Sequence, residues 1–136
     1  MVEIEIVYEG ALRTTARHGP SGAILSTDAP VDNEGKGERF SPTDLVAAAL
    51  GTCMLTLMGI SARRRGLLLE GVRVRVGKHM VADPVRRIGR IDVTFEMPAG
   101  LSAGERQFLE NAARTCPVRK SLDPRIEIPL DFRYPD

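Results

Sequence analysis

The sequence predicts an α+β protein. Three observations carry that reading: strictly alternating segments near the start, in the middle and at the end of the chain; one long uncharged run bounded by helix start and stop signals; and a second, amphipathic helical stretch with a cap of its own. A chain of 136 residues, 43% hydrophobic and 27% charged, is the size and composition of one globular domain, 1–136, with a single core.

Val2 to Val7 alternate as a half-buried strand, and "LRTTARH" and "SGAILSTD" read as two further strands around the turn His18-Gly19-Pro20-Ser21, giving a small antiparallel sheet. The stretch "APVDNEGKGERF" has turn residues but no periodicity, and a loop of that length in so short a chain points to function. Ser41 then serves as N-cap, Pro42 suits the first helical position, and the Asp44 carboxylate can return to the cap backbone at the positive dipole end. The helix runs to Arg63-Arg64-Arg65, and Gly66 closes it in the left-handed conformation. Its segment Leu45 to Ala62 carries no charge, and a run of about 18 such residues is long enough to span a membrane. It equally suits burial inside a protein. Because the neighbouring strands need a cover, the expectation is a buried helix and no membrane.

Next, "GVRVRVGKHM" and "RIGRIDVTFEM" alternate on either side of the turn-like "ADPV" and form a hairpin. "LSAGERQFLENAARTC" opens on a capping box, Ser102 to Glu105, with Phe108, Leu109 and Ala112 on one face. Pro117 ends that helix and starts a short new one through "PVRKSL", which leaves Cys116 at or beside its N-cap. "RIEIPLDFRY" closes the chain as a strand.

A net charge of +1 with no Trp, two Tyr and four Phe offers neither the field nor the stacking surface that nucleic-acid binding needs. No basic segment followed by an apolar block marks a secretory signal, so the expected location is cytoplasmic. A lasting disulfide is unusual there, and the two cysteines are either inert core thiols or transient redox groups. His18 and His79 together with the cysteines lack zinc-ligand spacing, and neither a phosphate-cradling glycine loop nor a Ser-His-Asp set is present. Cys53 lies about three turns into its helix among Ala49, Leu50 and Leu57, where it needs a nearby cation to be reactive. Cys116 has a helix N-terminus and Arg114, Arg119 and Lys120 beside it, all favouring thiolate.

The motifs "FSPTDLVAAALGTCM" and "ARTCPVRKSL", in this order and on these helices, with "HGPSG", "VADP" and the final strand, resemble the OsmC/Ohr family, most closely its general OsmC-like branch. The resemblance implies an OsmC-like fold with antiparallel sheets, a long central helix bearing Cys53 and a second helix bearing Cys116. It further implies an intertwined homodimer with active sites at the subunit interface. In such a protein the Cys53 thiolate reduces a small organic hydroperoxide, the sulfenic acid condenses with Cys116, and an external dithiol such as a lipoylated protein resets the pair, with no bound cofactor or metal. The family's helix glutamate, ten positions before the first cysteine, is here Thr43. Asp44 is nine steps of about 100° from Cys53 and lies roughly opposite it around the helix. Glu38 is therefore the candidate carboxylate, with Arg17 as the arginine it holds and Arg13 as second choice. The alternative function consistent with Thr43 is a non-catalytic OsmC-like dimer that binds an apolar ligand or serves a stress role.

Overall fold

The computed structural model describes residues 1–136, which form two compact units, Met1–Val46 and Ala47–Asp136. In the first unit, β1 (Ile4–Gly10), β2 (Arg13–His18) and β3 (Ile24–Asp28) form an antiparallel sheet in that order. β1 begins and ends later than the alternation predicts, because Ala11 and Leu12 turn the chain with φ of 53° and 64°. Neither residue type signals a turn of positive φ, and the Tyr8 hydroxyl supports it by accepting the Leu12 N–H at 3.2 Å. The second turn forms where predicted but reaches to Ala23, with His18 N–H donating to the Ala23 carbonyl at 2.9 Å. The long loop follows, broken by one short 3₁₀ turn, Val31–Asn33. Gly35 is obligatory in it, since a Cβ there would lie 1.8 Å from the Ala29 carbonyl oxygen.

Helix α1 (Pro42–Arg64) begins in the first unit and supplies the spine of the second. Ser41 and Asp44 cap it reciprocally: the Ser41 N–H donates to Asp44 Oδ2 at 2.9 Å and the Asp44 N–H to Ser41 Oγ at 3.1 Å. It ends as the sequence indicates, with Gly66 at φ 67° and the Gly66 and Leu67 N–H groups returning to the Arg63 and Ala62 carbonyls, the pattern of a left-handed C-terminal cap. Ala47, Leu50, Met54, Met58 and Ala62 form its buried stripe. The expectation of an all-round buried helix is met on that side only, and about a third of the apolar window is buried.

In the second unit, β4 (Arg73–Val81) pairs with β5 (Arg87–Glu96) as the predicted hairpin. β6 (Leu130–Arg133) pairs parallel to β5, and is shorter than the alternating segment because Ile126 to Pro129 touch the sheet only at isolated points such as the Arg90–Glu127 bridge. β5 is the core strand: Ile88, Ile91, Val93 and Phe95 are all buried, as is Met97 just past its end, and Phe95 stacks on Phe132 of β6 at 4.5 Å. Helix α2 (Ala103–Arg114) carries both bonds of the Ser102–Glu105 capping box and buries Leu109 and Ala113, one position beyond the expected Ala112. Cys116 is the N-cap of α3 (Pro117–Ser121). Gly51 marks close packing of α1 on β4, for a Cβ there would lie 3.0 Å from Val76 Cγ1.

Candidate active site: a thiol pair and a clamped arginine

Cys53 precedes Met54 of the buried stripe, and one residue is about 100° of helix rotation. That puts it at the margin of the stripe, partly exposed. Cys116 has no exposed surface. Its Sγ accepts the Arg119 N–H at 3.4 Å, and Cys53 is close enough to act on its titration. The two solitary cysteines of the chain are thus neighbours in the folded second unit, both reduced.

Burial pushes the Cys116 thiol above its ordinary pKa, the hydrogen bond with Cys53 adds to the rise, and the Arg119 and Val118 N–H groups oppose it in part. This corrects the expectation that local cations favour a Cys116 thiolate. Arg119 contributes its backbone N–H, and the Arg114 guanidinium lies over the Phe132 ring at 5.4 Å. Cys116 is therefore the water-shielded member of the pair, and Cys53 the accessible one.

A groove of about 380 Å³ runs between α1 and α2. Leu57, one turn beyond Cys53, and Thr115, next to Cys116, line its near part; Ile60, Phe108 and Ala112 make it apolar; and Arg64 stands at the far end of the same helix. Phe108 is a groove wall rather than a core residue, with the Arg65 guanidinium stacked 3.5 Å from its ring centroid.

In the first unit the expected arginine–carboxylate pair exists with a different arginine. Glu38 Oε2 lies 3.1 Å from the Arg13 guanidinium, and Asp28 Oδ2 lies 3.6 Å from the same nitrogen. Asp28 is 1% exposed; its Oδ2 also accepts the Glu38 N–H at 3.1 Å, while Oδ1 is buried without a partner. The pairing of Glu38 with Arg17 is corrected for a geometric reason. Arg13 is the register partner of Asp28, and Asp28 anchors the Glu38 backbone. Arg17 is four residues further along β2, about 13 Å at strand rise, exposed and opposite Glu5. Sequence reasoning missed Asp28, since no local signal marks a strand-end aspartate as buried.

Thr43 sits in the first turn of α1 with its hydroxyl 3.2 Å from that of Ser41, and Asp44 is engaged in the helix cap. His18 Nδ1 bonds Ser21 Oγ at 2.6 Å within its turn, and His79 Nε2 bonds Asp92 Oδ2 at 2.6 Å across the β4–β5 hairpin.

A family profile described as OsmC-like protein matches residues 35–131. Among solved structures, the chain is similar to a Psychrobacter arcticus 273-4 protein named for osmotic stress induction and a detoxification response, with 42% identity, a TM-score of 0.92, and 98% of this chain and 96% of that one covered. An organic hydroperoxide resistance protein, OsmC, from Legionella pneumophila shares the fold at 17% identity and a TM-score of 0.76, over 97% and 96% of the two chains. The organic hydroperoxide resistance protein OhrB of Bacillus subtilis does so at 16% identity and a TM-score of 0.71, over 98% of each. No curated protein sequence matches the chain significantly.

Proposed function

The chain belongs to the OsmC-like protein family, and from that premise we propose that it reduces organic hydroperoxides, with Cys53 as attacking thiol and Cys116 as resolving thiol. The observation that carries this reading is a pair of free thiols, one accessible and one buried, with Cys53 near enough to raise the Cys116 pKa. In the first step the Cys53 sulfur attacks the terminal peroxide oxygen, the O–O bond breaks, the alcohol leaves with a proton, and Cys53 becomes a sulfenic acid. Cys116 then gives up its proton and attacks the Cys53 sulfur; an S–S bond forms and water departs. An external dithiol, a lipoylated protein by resemblance, returns the pair to two thiols by exchange. The apolar groove that begins at Leu57, one helical turn beyond Cys53, suits the organic part of the substrate. Two structural relatives carry names of organic hydroperoxide resistance, which supports the same chemistry here.

The working form is a cytoplasmic homodimer. Ile4, Ile6 and Tyr8 stand 58%, 63% and 64% exposed on one face of the first sheet, with Leu25 at 45%, and such a contiguous apolar face calls for a partner. By resemblance, the family's thiolate-assisting arginine would correspond to Arg13, which Asp28 and Glu38 clamp. Thr43 at the family's glutamate position favours the alternative, a dimer that binds an apolar ligand with its thiols idle. Titration of the reduced protein with an organic hydroperoxide decides between them. Loss of both thiols at near-stoichiometric peroxide supports reduction, and two thiols surviving a modest excess supports the idle dimer.

A further inference from the structure

We propose that the groove between α1 and α2 is a binding site for an apolar carboxylate whose anionic end is held by Arg64. The inference names the chemical class the groove accepts, and it rests on the proposed function only in giving this groove to an organic ligand. Leu57, Ile60, Phe108 and Ala112 supply its apolar lining, and Arg64 lines it with the neutral polar residues Ser61, Asn111 and Thr115. A concave apolar surface with few polar groups is the make-up of a small-molecule site. Leu57 and Arg64 stand about two turns, roughly 10 Å, apart on the same face of α1. A chain of about eight carbons reaches from one to the other.

Charge decides which amphiphile fits. No carboxylate lines the groove. Glu110, next to the lining residue Asn111, accepts the Tyr134 hydroxyl at 2.6 Å, and the Arg64 guanidinium has no ion pair or hydrogen bond within the chain. The Arg65 guanidinium adds positive potential where it stacks 3.5 Å from the Phe108 ring centroid. Asn111 Oδ1 accepts the Gln107 side-chain amide at 2.8 Å, which leaves the Asn111 amide nitrogen as a donor. A carboxylate thus finds partners here and an ammonium group finds none. The cleft of about 510 Å³ at the end of α1 lacks this bias, because Glu70 lines it along with Arg63.

The test is NMR titration of the isotopically labelled, reduced chain with octanoate, octan-1-ol and octyltrimethylammonium, following backbone amide shifts. Octanoate is expected to bind tightest, with shifts at Leu57, Arg64 and Phe108. Its margin over octanol should be about fivefold, the scale of one exposed charge pair. Arg64→Ala should remove that margin and leave octanol binding unchanged, Arg64→Lys should restore part of it, and Phe108→Ala should weaken both ligands. Arg63→Ala, outside the groove, should change neither. Equal binding of octanoate and octanol by wild type, or an undiminished margin in Arg64→Ala, overturns the proposal. Absence of octanoate binding overturns it too, and a changed light-scattering mass in Arg64→Ala would then give the groove to a second copy of the chain. Cumene hydroperoxide carries no carboxylate, so thiol loss driven by it reports separately on the peroxidase reading, and either can fail alone.

Discussion

At the scale of single residues, the account turns on which guanidinium and which thiol do the work. Arg13 is held by two carboxylates, Asp28 and Glu38, whereas Arg17 is exposed and has none within ion-pair reach. Under the role proposed for it by resemblance, Arg13→Ala is expected to slow oxidation of Cys53 by roughly 10²-fold, the scale of removing one preorganised electrostatic group, and Arg17→Ala to leave the rate near wild type. Stopped-flow peroxide kinetics read both, and equal rates in the two variants would contradict the assignment. Tyr134 gives a separate pH expectation. Burial, then the hydrogen bond its hydroxyl donates to Glu110 Oε2 at 2.6 Å, then the Glu110 charge push its pKa well above the ordinary phenol value, against the Arg106 cation. A raised folded-state pKa means that the contribution is complete below the unfolded value of about 10 and is lost as pH rises beyond it. Denaturant midpoints measured above that pH should fall less steeply in Tyr134→Phe than in wild type. The two cysteines were legible because their flanking motifs are distinctive. Their relative reactivity was not, because neighbours in sequence suggested cations for Cys116 while its burial, invisible locally, set the opposite direction.

Among the elements, helix ends are where sequence chemistry and structure agree most closely. The Ser102–Glu105 box closes with bonds of 2.8 and 3.1 Å, and Ser102→Ala should cost about 1 kcal/mol in denaturant unfolding. Gly51 tests the packing of α1 on β4. A Cβ there already meets Val76 Cγ1 at 3.0 Å, so Gly51→Val should overpack the contact and destabilise by about 1–3 kcal/mol. A neutral result in that variant would mean α1 and β4 are not tightly apposed. The hairpin, the two cysteine helices and the capping residues follow from period and cap chemistry. The Ala11-Leu12 turn does not, for a hairpin tip with two residues at positive φ normally announces itself with Gly or Asn. Nor does the parallel pairing of β6 with β5, because alternation fixes which side chains face the core and is silent about strand direction.

For the whole molecule, a 23-residue helix with an uncharged middle and one buried side, together with an exposed apolar sheet face, leaves apolar surface that the proposed homodimer would cover. Light scattering at micromolar concentration is expected to give twice the chain mass of 14.9 kDa, and Ile6→Lys, which places a charge in the apolar face, to shift the population toward the single chain. Fold class was readable from the order of elements, whereas the apolar face of the first sheet shows its exposure only in the folded chain. The central claim, that Cys53 and Cys116 are attacker and resolver of one redox pair, is tested most directly by mass spectrometry. Reduced wild type, Cys53→Ser and Cys116→Ser are treated with cumene hydroperoxide in the presence of a sulfenic-acid trap. The account expects a Cys53–Cys116 disulfide in wild type, trapped sulfenic acid on Cys53 in Cys116→Ser, and an unreacted thiol in Cys53→Ser. Trapped sulfenic acid on Cys116 in the Cys53→Ser protein, or wild type left fully reduced, would contradict it.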